Sequence, residues 1–241
     1  MPGKDCGSAA WSPSSRLLAY ECSDRQVGEL YVTTVEGTRS TAPLLRIQIP
    51  TSMRAVGFSA DDSHAYVHRH LEGGATELVA VALEGQGDPD QAGQVIAAEE
   101  ERWTGMSISP DGRFVAYVSD ESGRRAIFVR RFESDTTLGP RILAASDATR
   151  PTWGKNVRDG RYELLFARET RTFSMDFMPR PTARFSEPRE HAIDSFVLGL
   201  QDAATLPDGR FMIIRAPDTE VGASELRLVL GWTQELAQRV Q

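Results

Sequence analysis

A short turn pattern recurs along this chain and constrains its fold more than any other feature. In its clearest copy, residues 107–117, it reads Ser-Ile-Ser-Pro-Asp-Gly-Arg-Phe-Val-Ala-Tyr. The turn position recurs at intervals of about 48 residues, at Ser14, Asp61, Asp111, Asp159 and Asp208. Five copies at a nearly constant spacing indicate five successive units of one supersecondary structure.

The residue types in each copy predict a tight β-hairpin. Pro presets φ for the first turn position, Asp suits the next, and Gly adopts the left-handed conformation that closes the turn with a bulge. We therefore expect structural turn roles for Pro13, Pro110, Asp111, Gly112, Asp159, Gly160, Pro207, Asp208 and Gly209. Short β-rich runs flank each turn and a third follows it. A weaker fourth run precedes the next copy, at 44–49, 94–97, 141–144 and 192–197.

Each unit is thus predicted to be a four-stranded antiparallel meander. One such sheet cannot bury both faces alone, and stacking several sheets radially solves this problem. The sequence predicts an all-β fold, a single β-propeller domain over 1–241 of four-stranded antiparallel blades. Its five recognisable repeats span about 8–50, 53–97, 104–145, 150–197 and 201–231. A linear array of separate sheets is the alternative architecture, and either a five-bladed ring or a partial six-bladed ring accommodates the length.

Both ends of the chain carry distinct expectations. Trp232, Leu236 and Val240 are four residues apart and Thr233 can cap an N-terminus, which predicts a short C-terminal helix over 233–240. The polar segment 1–8 lacks the apolar region of a signal peptide, and the first inner strand is expected to begin at its end. No apolar run approaches the ~18 residues of a membrane span.

The repeat resembles that of TolB-like, WD40-like β-propellers. Residues 10–20 and 107–117 match it well, followed in each unit by an Ile/Leu-Tyr-Val-like strand at 30–32 and 127–129. The resemblance covers nearly the whole chain and implies a protein-interaction or ligand-binding propeller. That family typically has six blades, whereas five repeats are visible in this sequence.

The C-terminal residues carry a narrower resemblance. Residues 207–214 and 225–236 are similar to the end of the extracytoplasmic propeller found in bacterial transmembrane serine/threonine kinases, with Gly231 in place of an Asn. The resemblance implies a sensor domain, which would be periplasmic in a membrane kinase and otherwise cytoplasmic. The sequence has no Gly-rich nucleotide loop, His-Arg-Asp or Asp-Phe-Gly motif, so kinase activity would require another domain.

Cys6 and Cys22 are the only cysteines. If residues 12–16 form a hairpin turn, the two cysteines fall opposite each other, and a disulfide is conceivable. A directly opposed hydrogen-bonded pair usually holds its Cβ atoms too far apart for that bond. This consideration favours two reduced, packed thiols.

Three histidines form the only candidate metal site. His64, His68 and His70 would share one face of a strand, and imidazoles bind transition metals. Residues two apart on a strand lie roughly 6–7 Å apart, so three imidazoles converge poorly on one ion. The aligned residues Phe114 and Ala116 are apolar, which favours a packing role for this face instead.

Composition and motifs favour binding over catalysis. The net charge of -7 gives no support for nucleic-acid binding, and no Gly-x-Ser-x-Gly elbow is present. We expect no cofactor and no catalytic residues, and a non-catalytic module that binds a protein, a peptide or a small ligand at a propeller face. The alternatives are an accessory propeller of a prolyl-oligopeptidase-like hydrolase and a TolB-like envelope scaffold.

Overall fold

The computed structural model describes residues 5–24, 26–35, 42–48, 51–85, 87–99, 104–120, 123–194, 203–205 and 211–213. The predicted C-terminal helix at 233–240 lies outside these residues, as do Pro207, Asp208 and Gly209. The described part of the chain is all-β, apart from one 3-10 turn at Glu72–Gly74. No helix within it is long and apolar enough to cross a membrane.

The strands form successive antiparallel sheets, which we call blades. Blade 1 contains β1 (Asp5–Trp11), β2 (Leu17–Ser23), β3 (Val27–Thr34) and β4 (Leu45–Gln48). Blade 2 contains β5 (Ser52–Phe58), β6 (His64–His70), β7 (Thr76–Ala82) and β8 (Gln94–Glu99). Blade 3 contains β9 (Thr104–Ile108), β10 (Phe114–Ser119), β11 (Ala126–Ser134) and β12 (Thr137–Ser146).

Blade 4 departs from the simple meander at its outer edge. It contains β13 (Thr149–Arg158), β14 (Arg161–Arg168), β15 (Arg171–Met178), β16 (Arg184–Phe185) and β17 (Arg189–Asp194). One end of β15 pairs with β16, and the other end pairs with β17. The fifth repeat contributes a short ladder of β18 (Ala203–Thr205) and β19 (Phe211–Ile213).

The blades stack on one another in chain order. The first strand of each blade contacts the first strand of the next, from β1 through β5 and β9 to β13. Separate apolar cores lie between blades 1 and 2, between blades 2 and 3 and between blades 3 and 4. Each sheet therefore buries its faces against its neighbours, as radial packing requires. The predicted β-propeller fold is confirmed.

An aromatic cluster fills the core between blades 3 and 4. The Phe114 ring contacts Tyr162 and Phe177 edge to face, with centroids 5.1 Å apart in each pair. Trp153 packs 5.9 Å from both of those rings. Such edge-to-face contacts add to the stabilisation that comes from burying large apolar surfaces.

A buried serine organises the hairpin turn in blade 3. The Ser109 hydroxyl accepts hydrogen bonds from the backbone N–H groups of Arg113 and Phe114 and donates one to Asp111. The backbone N–H of Gly112 donates to the Ser109 carbonyl, and Gly112 has a left-handed φ of 71°. Blade 4 closes differently, because Asp159 and Gly160 both have positive φ and form a two-residue turn between paired Arg residues.

Cys6 and Cys22 form a disulfide, so the expectation of two reduced thiols was wrong. The pairing of β1 with β2 shifts by one residue at a bulge beside Ser8. Trp11 faces Leu18 on one side of the bulge, whereas Cys6 faces Cys22 on the other. The Cα atoms of the cysteines are 4.0 Å apart, close to the spacing of a non-hydrogen-bonded pair.

Two strands extend beyond their predicted ends. β1 begins at Asp5 rather than at Ser8, because residues 5–7 pair with the end of β2. β12, the outer strand of blade 3, begins at Thr137, which pairs with Ser134 at the end of β11. The two strands form a tight hairpin, and the polar residues around its turn gave no sign of a strand in the sequence.

Candidate functional site

A channel runs along the first strands of all four blades. Its volume is about 840 Å³, and its walls come from β1, β5, β9 and β13 and from the turns that follow β1 and β9. Val35, His68 and His70 also line it. A cavity of this size lies within the range of small-molecule and peptide sites. The channel is a product of the fold, because its walls come from repeats about 48 residues apart.

The turn end of the channel is apolar and open to solvent. Trp11 is 43% exposed and Val35 is 37% exposed, and both line the channel. Pro13 and Pro110, from the turns of blades 1 and 3, lie at the same end. Exposed apolar side chains grouped around a concave opening are typical of binding surfaces. We call these four residues the apolar rim.

A basic cluster lies deeper, on the blade 2 wall. Arg54 on β5 pairs across the sheet with His68 on β6, and the rings of His68 and His70 lie 4.2 Å apart between centroids. Burial, together with the nearby charges of His70 and Arg54, lowers the pKa of His68 to about 3. Burial and Arg54 also lower the pKa of His70. Both imidazoles are therefore neutral at neutral pH.

One nitrogen in this cluster has an unmet hydrogen-bonding requirement. His68 is only 3% exposed, and its Nε2 has no hydrogen-bond partner among the described residues. Buried polar atoms are nearly always hydrogen-bonded, so each exception asks for an explanation. Since His68 lines the channel, a channel ligand is one such explanation.

Charge is distributed unevenly around the channel. The described residues that line it include Arg54, Arg150, His68 and His70 but no Asp or Glu. Outside the lining, Glu21 lies near Arg54. Burial raises the pKa of its carboxyl, and Arg54 opposes that rise. The channel wall is thus basic within a chain that carries a net charge of -7.

Hydrogen bonds between blades fix the positions of the channel walls. The backbone N–H of Ala55 donates to the Ser8 hydroxyl at 3.2 Å. In the same way, the Trp153 backbone N–H donates to the Ser107 hydroxyl at 3.3 Å, and its indole N–H donates to the Ser107 carbonyl at 3.1 Å. Hydrogen bonds therefore tie β1 to β5 and β9 to β13 along the channel.

The hairpin turns make a second set of contacts between blades. The Ser14 hydroxyl donates to the Asp62 carboxylate of the next turn, and the Tyr162 hydroxyl donates to Asp111 Oδ2 at 2.7 Å. Gly112 packs against the backbone of residues 58–60 in blade 2. Asp111 and Gly112, two of the turn residues singled out in the sequence, thus lie at contacts between blades as well as within their own hairpin.

His64 lies apart from the other two histidines. It borders a separate groove of about 740 Å³ between blades 1 and 2, beside Ser63 and Asp135. Ser63 Oγ is 2.8 Å from His64 Nδ1, and Asp135 Oδ2 is 3.7 Å from the same nitrogen. A Ser-His-Asp triad needs its serine and its carboxylate on opposite ring nitrogens, so this cluster does not have the geometry of a triad.

The three histidines do not form one metal site. Across the part of the chain that the structure describes, no group of three or more His, Cys, Asp or Glu side chains is placed to hold a metal ion. Only His68 and His70 lie together, and both lie near the positive charge of Arg54.

Pro13, Pro110, His68 and His70 were singled out in the sequence and line the channel, whereas Arg54 and Trp11 were not singled out. Arg54 and Trp11 lie on first strands, and the repeat aligns Trp11 with apolar residues that form cores in other blades, such as Phe58. Arg54 could be connected to the histidines only through its position opposite His68 on the neighbouring strand. That position follows from the strand register, which the sequence does not give.

Comparison with known proteins finds relatives by fold only. No protein-family model and no curated protein matches the sequence. The structure is similar to a TolB from Agrobacterium tumefaciens, with 14% identity and a TM-score of 0.55 over 86% of this chain and 73% of that chain. It is also similar to prolyl oligopeptidase B from Galerina marginata, with 11% identity and a TM-score of 0.54 over 83% of this chain and 30% of that one.

The chain has a TolB-like β-propeller fold. Oligopeptidase B from Trypanosoma brucei is a further structural neighbour, with 13% identity and a TM-score of 0.52 over 88% of this chain and 31% of that one. The chain therefore spans about three quarters of the TolB and about a third of each peptidase. At these identities the likeness establishes the fold alone.

Proposed function

We propose that this TolB-like propeller is a non-catalytic binding module whose channel receives a peptide, a segment of a protein partner or a small ligand. The observation that carries the proposal is the open channel along four blades, with its apolar rim and its basic wall. Well-packed blades on either side give the channel a fixed shape, which favours recognition over chemistry.

The rim supports a peptide or protein ligand in particular. Trp11 and Val35 are exposed in the free protein, and large exposed apolar side chains often anchor partners. Trp11 offers a broad aromatic face to a ligand side chain. The strands that border the channel are held by contacts between blades, so little ordering would accompany binding.

Peptide selection with matched variants tests this proposal. Binders selected from a random peptide library would be compared on wild type, Trp11→Ala and Leu143→Ala. Leu143 is 53% exposed on an outer strand and does not line the channel, so it is the control. We expect roughly a tenfold or greater loss of affinity for Trp11→Ala, typical of an anchor residue, and none for the control. Equal affinities for all three proteins, or no binder to wild type, would refute the proposal.

A second matched pair probes the rim independently of aromatic packing. Val35→Asp places a carboxylate at the channel mouth, whereas Val95→Asp places one on an outer strand with a similar exposure. Selected peptides should lose affinity for the first variant and keep it for the second.

We further propose that the module is related to the sensor domain of a bacterial serine/threonine kinase. The support is the resemblance of residues 207–214 and 225–236 to the end of such propellers. The module would then be extracytoplasmic. A kinase catalytic domain in the same gene or its neighbour would support this relation, and its absence there would count against it.

The runner-up proposal is a propeller that accompanies a peptidase. The observation in its favour is the fold shared with two oligopeptidases, each about three times as long as the matched region. An adjacent α/β-hydrolase coding sequence would favour this role over the sensor role. An envelope scaffold remains the third candidate and would require an export signal upstream.

A further inference from the structure

We infer that the blade 2 wall of the channel binds a carboxylate group, held by Arg54, His68 and His70. The inference deepens the proposed function and rests on it, because it specifies the chemistry of the ligand that the channel receives. The carboxylate belongs either to a peptide or to a free organic acid.

The lining of the channel carries positive charge. Arg54 and Arg150 line the channel with two histidines, and no acidic side chain lies among the described lining residues. The chain as a whole has 34 acidic and 27 basic residues, so a basic channel runs against its composition. A concave surface lined by one sign of charge concentrates ligands of the opposite sign.

His68 has a buried ring nitrogen without a hydrogen-bond partner among the described residues. The side chain is 97% buried, and its Nε2 lacks a partner among the described residues, although His68 lines a ligand-sized cavity. A neutral imidazole with hydrogen on Nε2 donates one hydrogen bond, and a carboxylate oxygen accepts it. A bound carboxylate would therefore satisfy the one buried polar atom in this wall that the fold leaves without a partner.

Arg54 supplies hydrogen-bond donors for such a carboxylate. Its guanidinium forms no hydrogen bond or ion pair with the other described residues, although its charge is felt by Glu21, His68 and His70. The planar fork of guanidinium donors matches the two oxygens of a carboxylate. Glu21 is within the electrostatic influence of Arg54, but it lies outside the channel lining and forms no ion pair with Arg54.

The same geometry argues against a metal ion at the two imidazoles. A divalent cation beside His68 and His70 would be repelled by Arg54, whose charge already disfavours protonation of both rings. A metal ion would also find only two protein ligands, fewer than zinc sites use.

Apolar neighbours favour a carboxylate with an apolar body over inorganic phosphate. Val56, Met106 and Ile108 line the channel next to the basic wall. A ligand with a carboxylate head and an aromatic or aliphatic body would contact both surfaces at once. Benzoate and a C-terminal dipeptide both have this construction.

The experiment compares acids with matched neutral amides. Benzoate and benzamide, then acetyl-Leu-Phe as free acid and as amide, would be titrated into the protein while the imidazole ¹H–¹³C signals of His68 and His70 are followed by NMR. The proteins would be wild type, Arg54→Gln and the control Arg124→Gln, whose side chain is 79% exposed.

We expect saturable shifts of both histidine signals with the acids. Affinity for the amides should be weaker by about tenfold or more, the factor that corresponds to losing a charge-assisted hydrogen bond. Arg54→Gln should remove that preference, and Arg124→Gln should retain it. If Arg54→Gln does not fold, Arg54→Lys serves instead, because it keeps the charge but lacks the fork.

Several results would overturn the inference. Equal binding of acid and amide, unchanged by Arg54→Gln, would refute the carboxylate while leaving the channel-binding function intact. The carboxylate would also be refuted, and the channel-binding function kept, if library peptides bind the apolar rim while neither acid shifts the NMR signals of His68 and His70. Tighter competition by inorganic phosphate, or micromolar Zn²⁺ binding at both imidazoles, would assign the wall to another ligand. Binding of benzoate alone would support a free organic acid, and binding of the dipeptide acid would support a peptide.

Discussion

The contact of Gly112 with the neighbouring blade predicts an unusually costly Gly→Ala substitution. Gly112 has a φ of 71°, and a Cβ atom added to it would lie 2.6 Å from the Ala60 nitrogen and the Ser59 carbonyl carbon. It would also lie 2.7 Å from the Phe58 carbonyl oxygen. These are backbone atoms of another blade, so no flexible side chain can move aside.

The expected loss of stability has two parts. Placing alanine in the left-handed region costs about 1–2 kcal/mol. Overpacking against the fixed backbone adds about 1–3 kcal/mol. Gly123 isolates the first part, because its φ is 78° and no atom of the described residues lies within 4 Å of the position that a Cβ would occupy. We therefore expect Gly112→Ala to lower the free energy of unfolding by about 2–5 kcal/mol and Gly123→Ala by about 1–2 kcal/mol.

Urea unfolding followed by tryptophan fluorescence measures both variants, with thermal melting as a second probe. For a domain of this size, each kcal/mol shifts the melting temperature by about 2–4 °C. The comparison is decided by the difference between the variants rather than by either value alone. Equal losses for Gly112→Ala and Gly123→Ala would show that the turn of blade 3 does not press on blade 2, and the packing argument would be refuted.

Three further predictions follow from the turns and the disulfide. Tyr162→Phe should cost about 0.5–1.5 kcal/mol by removing the hydrogen bond to Asp111. Burial and that bond raise the pKa of Tyr162 to about 12, so a spectrophotometric titration should show Tyr162 ionising at a pH well above that of free tyrosine. The stability that Tyr162 contributes should therefore be lost between about pH 10 and 12. Hydrogen bonds from neighbouring turn groups lower the pKa of Asp61 to about 2, so its stabilising contribution is present above its unfolded pKa near 3.8 and is lost as pH falls towards 2. An acid denaturation series on wild type and Asp61→Asn measures this, and identical curves would contradict it. Reduction of the bond between Cys6 and Cys22 should lower stability by about 3 kcal/mol, the magnitude for a loop of this length. A thiol assay before and after reduction, paired with melting curves, checks that result, and free thiols in the untreated protein would disprove the bond.

The repeat made the blade architecture predictable, and local irregularities limited the rest. Alternation of apolar residues, such as Ala65 and Val67 towards blade 1 and Tyr66 towards blade 3, follows from the strand period alone. The sequence placed Cys6 opposite Cys22 but did not predict the bond between them, because the bulge beside Ser8 alters the pairing near the cysteines and has no sequence marker. A one-residue shift changes which side chains face each other across the strands.

The candidate site was harder to foresee than the fold. Its residues come from four repeats, and their proximity depends on how the blades are arranged around the channel. The histidine-rich strand was noticed, but the strand rise separates His64 from His70 by about 20 Å. The proximity of Arg54 to His68 depends on the strand register, which the sequence alone does not give.

The ties between blades also have a consequence for folding kinetics. Four hydrogen-bonded pairs that join one blade to the next link residues 46 to 51 positions apart: Ser8 with Ala55, Ser14 with Asp62, Ser107 with Trp153 and Asp111 with Tyr162. Each new blade therefore closes a loop of nearly the same length, so the entropic cost of adding it is nearly constant. Folding can proceed by stepwise addition of blades, with no single closure much slower than the others.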